Sequence, residues 1–326
     1  MDLRDVIGIL SDGAFHSGEQ LGEHFGVSRT AIWKQLKKLE AMGIEVDAVR
    51  GQGYRITPQV ELLDGAVIVR HLEVGSRKLL SRLFVETLSD STNDFLLRRF
   101  AQGAGHQEAC FAEIQTQARG RRGRKWLGGF AQGLCFSVGW KFDCPASCLE
   151  GLSLTVGVAV AEALSSLGAE EVGLKWPNDL LLEQGGVLSK LGGILIELKG
   201  DAEGPCDVVI GIGLNVVASP ELTELPQPTA ALSSVISSVS RNAVASRILA
   251  RLLPMLARFE KEGFEPWRLS WNERHALRDK QVDVIQRDAC LSGIAGDVDE
   301  HGNLAVWVGT ELHRFSGGEI SLRLRT

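Results

Sequence analysis

No C-x-x-C pair occurs among the six cysteines, Cys110, Cys135, Cys144, Cys148, Cys206 and Cys290. Scattered thiols of this kind exclude a disulfide framework and a zinc finger, and point to the reduced state of a cytoplasmic protein. The seven histidines show no metal-ligand spacing. No apolar run reaches the roughly 20 residues that a membrane-spanning helix needs. The nearest, 152–164, is interrupted by Gly157 and Glu162 and reads as a buried helix, so no membrane partner is expected. The opening Met1-Asp2-Leu3-Arg4-Asp5 is acidic where a secretion signal would be basic. Two common nucleotide signatures are also missing. There is no G-x-x-x-x-G-K-[ST], and Gly211-x-Gly213 lacks its third glycine, Val216 standing in that place. A nucleotide, if bound, is held in some other way.

What is present suffices for two or three domains: 326 residues, 44% of them hydrophobic. The net charge of −6 argues against a protein coated in nucleic acid but leaves room for a local basic face. One stretch stands out, Arg119-Gly120-Arg121-Arg122-Gly123-Arg124-Lys125-Trp126, with clustered cations, two glycines and no acid. Guanidinium groups present forks of donors that match phosphate and carboxylate oxygens. Glycines let a backbone fold closely round an anion. The run reads as a solvated patch, a nucleic-acid contact or an anion-binding loop.

Residues 1–60 have the pattern of a winged helix-turn-helix. A helix over Leu3–Leu10 ends at Ser11-Asp12-Gly13. Ser17 and Gln20 form a capping box for a second helix, and Ser28 caps a third that runs from Arg29 to about Met42. On the third helix Ile32, Leu36 and Leu39 face inward, while Arg29, Thr30, Trp33, Lys34 and Lys37 face outward. Strand-like 44–49, a turn at Arg50-Gly51-Gln52-Gly53 and a return at Tyr54-Arg55-Ile56 make the wing. The third helix with Ser28, Arg29, Thr30, Trp33, Lys34 and Lys37 suits a major groove, and Arg50 suits phosphate or a minor groove.

After a linker at Pro58–Asp64 comes a central region of alternating strands and helices. Val85–Leu88 is a strand, and Ser89-Asp90-Ser91-Thr92-Asn93 opens a helix over Asp94–Phe100, either as plain capping or as a polar ligand site at a helix N-terminus. Strands at Ala109–Gln115 and Gly133–Val138 flank the arginine stretch. A buried helix spans Leu152–Leu167. The strand Val172–Trp176 ends in Lys175-Trp176-Pro177-Asn178-Asp179, where Asn178 and Asp179 are turn formers or, beside a phosphate, ligands of a magnesium water shell. A hairpin over Leu180–Leu198 carries Lys190 at the start of its apolar return strand, where a lysine ordinarily snorkels to water. Val208–Val216 is the next strand, 218–238 is a loop, and Asn242 caps a helix to Glu262 that Pro254 should kink or split. From Asp279 short glycine-punctuated strands read as a small β-barrel.

Taken in order, these motifs resemble the biotin protein ligases. They are Asp90-Ser91-Thr92-Asn93, Gln115, the arginine loop, Lys175-Trp176-Pro177-Asn178-Asp179, Lys190-Leu191-Gly192-Gly193-Ile194-Leu195 and Gly211-Ile212-Gly213-Leu214-Asn215. Phe15–Leu21 and Gly51-Gln52-Gly53-Tyr54 resemble the winged helix of the bifunctional group, in which the ligase also represses the biotin operon. Gly317-Gly318-Glu319-Ile320-Ser321-Leu322 resembles the closing segment of that family.

The resemblance implies an α+β chain with a winged helix-turn-helix at 1–60, a mixed-sheet, class II synthetase-like ligase domain at 66–273 and an SH3-like barrel at 277–326. It implies that biotin and Mg-ATP give biotinyl-5′-AMP and pyrophosphate, and that a lysine of a biotin carboxyl carrier protein of acetyl-CoA carboxylase then takes the biotin. It assigns biotin to Ser91, Thr92, Asn93, Gln115, Arg119, Gly120, Arg121 and Lys190, and ATP with Mg2+ to Arg121, Arg124, Asn178, Asp179 and Asn215, Asp179 being the metal-side residue. Lys190, Arg121 and Arg119 are the expected catalytic groups, because two anions must meet and their repulsion must be cancelled. Trp126 is expected to pack under the loop. Ala118 stands where the family usually has glycine, and a positive φ there would cost roughly 1 kcal/mol and loosen the loop. Operator DNA and a ligand-promoted homodimer complete the expected partners. The alternative is a winged-helix sensor that binds a small acid without turnover.

Overall fold

The computed structural model describes residues 1–57, 60–200, 203–218, 222, 227–286, 289–317 and 320–325. Three helices open the chain: α1 (Leu3–Leu10), α2 (Gly18–Phe25) and α3 (Arg29–Ala41). The capping box forms, with Ser17 Oγ accepting from the Gln20 amide at 3.1 Å and Gln20 Oε1 accepting from the Ser17 amide at 2.8 Å. Val6, Ile7, Leu10, Leu21, Ile32, Leu36 and Leu39 close a small core. Strands β1 (Val46–Val49) and β2 (Gly53–Ile56) form the wing. Gly53 is required there: its φ is +118°, and a Cβ would lie 2.2 Å from the His16 carbonyl to which the wing is bonded.

Pro58 of the expected linker lies outside the described residues, and 60–64 has no helix or strand. It is nonetheless fastened. Glu61 accepts from Ser240 Oγ at 2.7 Å and from the Asn242 side chain at 2.9 Å, and the Asp64 amide donates to Asn242 Oδ1 at 2.7 Å. Two short helices that the sequence pattern does not announce follow, α4 (Gly65–Arg70) and α5 (Val74–Lys78).

A seven-stranded mixed sheet then forms: β3 (Arg82–Ser89), β4 (Glu108–Gln115), β5 (Gly133–Phe142), β6 (Val172–Lys175), β7 (Asp179–Gln184), β8 (Val187–Gly200) and β9 (Cys206–Asn215). Its order is β3-β4-β5-β9-β8-β7-β6, with only β3 and β4 parallel. One face carries α6 (Thr92–Ala101), whose Leu96 and Phe100 meet Cys110 and Val209. The other face carries α7 (Leu152–Ser165) and α8 (Arg241–Glu262) over Phe111, Phe136, Ile210 and Ile212. The stretch Ala146–Ser165 passes a length and apolarity test for a membrane span, with mean hydropathy 1.4. It is 67% buried, and α7 is the core helix of this layer.

Three expectations change here. Lys190 lies inside β8, which begins at Val187, and not at the strand's start. Ser240, not Asn242, caps α8. Pro254 does not split α8, which runs unbroken to Glu262.

Helix α9 (Glu265–Glu273) leads to β10 (Gln281–Gln286), β11 (Ala289–Val298), β12 (Leu304–Val308), β13 (Glu311–Phe315) and β14 (Ile320–Leu324). They pair antiparallel in the order β13-β12-β11-β10-β14. Among the described residues these strands form one five-stranded antiparallel sheet in which no ladder joins β13 to β14. Gly318 and Glu319 of the closing motif lie outside the described residues. This sheet shares the main core, and Trp176 Nε1 donates to the Gly302 carbonyl at 3.0 Å.

Candidate functional site

The site lies where α6, the arginine loop and the β6–β7 turn meet over the sheet. Ser91 caps α6, its Oγ accepting from the Asp94 amide at 3.4 Å. Gln115, at the end of β4, accepts from the Thr92 amide at 2.7 Å and lies 3.2 Å from the Thr92 hydroxyl. Ser91, Thr92 and Asn93 are all buried. Ser137 of β5, which sequence reasoning passes over, lies beneath them. Its hydroxyl donates to Asn93 Oδ1 at 2.5 Å and is 2.7 Å from Thr92 Oγ1. The only signal for it in the sequence is a hydroxyl within an apolar strand. Capping and ligand binding are compatible for these residues, because polar groups gather at a helix N-terminus.

The arginine stretch is a small hairpin. Arg119 and Lys125 bridge, the Gly120 amide donates to the Arg124 carbonyl at 2.7 Å, and the Trp126 amide donates to Ala118 O at 3.1 Å. A single 3-10 turn at Arg121–Gly123 closes it, with positive φ at Arg122 (60°) and Gly123 (69°). Ala118 has no positive φ, so the expected strain there is absent. Trp126 packs under the hairpin. Gly213 makes that possible, since a Cβ there would lie 2.7 Å from the indole. A Cβ at Gly211 would likewise lie 2.4 Å from Asn93 Oδ1. The pair of glycines therefore seats two side chains and has no part in a dinucleotide fingerprint.

Cations converge on Asp179 at the β6–β7 turn. Lys190 Nζ donates to Asp179 Oδ1 at 2.6 Å, Lys175 Nζ is 3.5 Å from Asp179 Oδ2, and Lys190 stands 5.8 Å from the Trp126 ring centre. Burial pushes the Lys175 ammonium below its ordinary value, against the pull of Asp179. Arg121 donates to Asn178 Oδ1 at 3.2 Å and to the Gly317 carbonyl at 2.9 Å, and burial lowers its pKa too. Asn178 donates onward to Ile194 O at 2.8 Å. Asn215 donates to the carbonyls of Lys190 (3.3 Å) and Ala230 (3.0 Å). Arg124 is exposed at the loop's outer edge. Arg119 makes a bidentate pair with Asp94 at 2.7 and 2.6 Å and reaches Glu197 at 3.2 Å. Among the described residues no group of three or more His, Cys, Asp or Glu side chains is placed to hold a metal ion.

A second surface lies on the N-terminal helices. Trp33 is 52% exposed on α3, and Ser28, Arg29, Thr30, Lys34 and Lys37 are exposed with it. Lys37 is paired with Glu40 at 2.5 Å. Arg50 is exposed at the tip of the wing.

Comparison with known proteins agrees with this division. The HTH domain family matches residues 3–55, and the Biotin/lipoate A/B protein ligase family matches residues 85–215. The chain is 37% identical over 319 residues to the bifunctional ligase/repressor BirA of Salmonella typhimurium, covering 98% of this chain and 96% of that one. The Escherichia coli BirA matches to the same extent. Among solved structures, the biotin protein ligase of Aquifex aeolicus in complex with biotin and ATP superposes with a TM-score of 0.65 at 26% identity, over 76% of this chain and 100% of that one.

Proposed function

The chain belongs to the family of bifunctional biotin protein ligases and repressors, and from that premise we propose which of its residues do the work. It is an ATP-dependent biotin protein ligase with a DNA-binding repressor domain. We read the boundaries as a winged helix at 1–60, a class II synthetase-like ligase domain at 66–273 and, at 277–326, the family's SH3-like module.

The biotin carboxylate must attack the α-phosphate of ATP, giving biotinyl-5′-AMP and pyrophosphate. Two anions then share one pocket, and the barrier falls only if fixed positive charge meets the charge that develops at phosphorus. One observation carries the assignment: Lys190 and Arg121, from distant segments, converge on the Asn178–Asp179 turn. Lys190 is the electrophilic group on the carboxylate and phosphate. Arg121 and Arg124 complete the charge on the ATP side with Asn178, Asp179 and Asn215. Ser91, Thr92, Asn93 and Gln115 bind the ureido ring, and the Gly120 region lies over the reacting atoms as a lid that keeps water from the mixed anhydride.

Asp179 lies beside these cations and already holds two lysines. Magnesium therefore fits here only through the ATP phosphates, with Asp179 reaching its water shell, where the ion would supply further positive charge. The second acceptor is a lysine of a biotin carboxyl carrier protein. We place the protein in the cytoplasm, which suits its six free cysteines.

Incubation with ATP, magnesium and biotin should release pyrophosphate and leave bound adenylate, and a carrier domain should then become biotinylated. Lys190→Ala should fold normally and lose roughly 100- to 1000-fold in rate, the usual worth of one such group. Pyrophosphate release undiminished in that variant would remove the assignment. Absence of any turnover by the unmodified chain would leave a sensor.

A further inference from the structure

Ser137 has one hydroxyl hydrogen and two close oxygen neighbours, and where that hydrogen goes decides what the start of α6 can hold. The run of donors begins at Glu197 on β8. An ionised carboxylate can only accept, and Asn93 donates to it through Nδ2 at 2.6 Å. The other end of the amide, Oδ1, lies 2.5 Å from the Ser137 hydroxyl. An amide oxygen also can only accept, so the serine's hydrogen is committed there. Turning the amide over would set its oxygen against the carboxylate. Ser137 Oγ is also 2.7 Å from Thr92 Oγ1. Two oxygens at that distance need a hydrogen between them, and only the threonine's is left.

Thr92 Oγ1 lies 3.2 Å from Gln115 Oε1 as well, but that oxygen already takes the Thr92 amide at 2.7 Å. Ser137, Thr92 and Asn93 are 0%, 3% and 4% exposed, which leaves bulk water no part in the arrangement. We propose that Glu197 and Ser137 are positioning residues which, through Asn93, fix the polarity of the Thr92 hydroxyl. With its hydrogen spent on Ser137, Thr92 meets a ligand only as an acceptor. The site is therefore built for a ligand N–H at that place and against a ligand oxygen.

The inference rests on the biotin reading for its ligand. A ureido N–H meets Thr92 Oγ1, whereas a ring oxygen in place of that N–H sets one lone pair against another. Selectivity of this kind is large, because the mismatched ligand leaves buried polar groups unpaired. The relay acts on the ring of the ligand and not on the carboxylate that reacts, so ligand choice is where it shows.

Neutron diffraction from crystals of the full chain in deuterated solvent reads the relay directly, without ligand or turnover. The Ser137 deuterium should point to Asn93 Oδ1 and the Thr92 deuterium to Ser137 Oγ; a Thr92 deuterium on Gln115 or turned into the pocket overturns the relay. Its consequence is read by calorimetry with biotin and with the two cyclic carbamates in which one or the other ureido N–H is replaced by oxygen. In the original chain at least one carbamate should bind about 100-fold more weakly than biotin. In Ser137→Ala the freed Thr92 hydroxyl can turn and donate, so that ratio should fall about 10-fold. A loss shared equally by biotin and the carbamate is what a merely structural serine would give, and it overturns the proposal. Where Ser137→Ala does not fold, the original chain still decides, since equal binding of biotin and both carbamates overturns it too. Failure of the biotin reading looks different: no biotin binds, while the neutron map still shows whether the relay exists.

Discussion

Glu113 is a carboxylate that the chain buries almost completely, at 4% exposure. It survives there because three segments complete it. Arg241 pairs with it at 2.8 Å, the Leu63 amide donates to it at 2.6 Å, and Arg4 of the winged domain lies 3.9 Å away. Arg241 is itself 1% exposed and also donates to the carbonyls of Gly133 and Glu61. Removing one member of such a pair leaves a buried charge without its counterion, which typically costs about 3–5 kcal/mol. Glu113→Ala should therefore lower stability to urea by that amount, whereas Glu262→Ala, which breaks an exposed pair with Arg258, should leave it nearly unchanged. Equal losses in the two variants would show that the buried pair is not special. His275 gives the matching prediction for pH. Burial pushes its pKa down from 6.5 to about 4. Between those values the unfolded chain binds a proton that the folded one refuses, so stability is full above the unfolded pKa and falls as pH drops toward the folded one. From pH 7 to pH 5 the loss from this one group is about 2 kcal/mol, and His275→Phe should flatten that part of the profile.

At the scale of elements, the parts legible in the sequence are those whose pattern is local. Capping at Ser17 and Ser28, the inner stripe of α3, the wing turn and the apolar runs of β4, β5 and β9 all appear where their spacing puts them. What is illegible depends on partners far along the chain. Asn242 has the sequence context of a cap, but its side chain is taken by residues 61, 62 and 64, and Ser240 caps instead. Helices α4 and α5 are too short to show a period. For the site, the motifs are visible in the sequence, yet Ser137, Asp94 and Glu197 are not, since their contacts span 44, 25 and 78 residues. The glycines of β9 are the clearest case of a pattern whose reason is three-dimensional. Gly213→Ala would drive a methyl to within 2.7 Å of the Trp126 ring, so one of the two must shift. We expect a loss of about 1–3 kcal/mol in stability, the range for overpacking, together with a raised KM for biotin. Circular dichroism melts and the ligase assay check it, and an alanine variant with wild-type values for both would mean that Trp126 is free to swing away.

For the whole molecule, the question is how an enzyme site and a DNA-reading surface are made to serve one another. The winged domain does not hang from a loose tether. Its core continues into Phe130 and Ala131, which follow the arginine hairpin directly, and Arg4 of α1 donates to the Leu63 carbonyl of the connecting segment. The α3 surface carries few free cations for a DNA binder, Lys37 being partly neutralised by Glu40, and the chain as a whole is at −6. We propose that repression uses two copies of the chain, each reading one half-site of a two-fold operator. We expect adenylate formation to favour that homodimer, because a ligand shifts an equilibrium only by its difference in affinity for the two states. Sedimentation at micromolar protein should show doubling of mass with biotin plus ATP and less with biotin alone; unchanged mass would sink the dimer. Operator binding should then fall steeply with salt, and Lys34→Ala should reduce the slope of log K against log salt by about 1 for each protomer's lysine–phosphate pair removed, uniformly across sequences. Trp33→Ala removes no charge, so it should leave that slope alone and alter which operator is preferred. If Trp33→Ala changes the slope and Lys34→Ala does not, α3 does not lie in the groove in the orientation its exposed face requires.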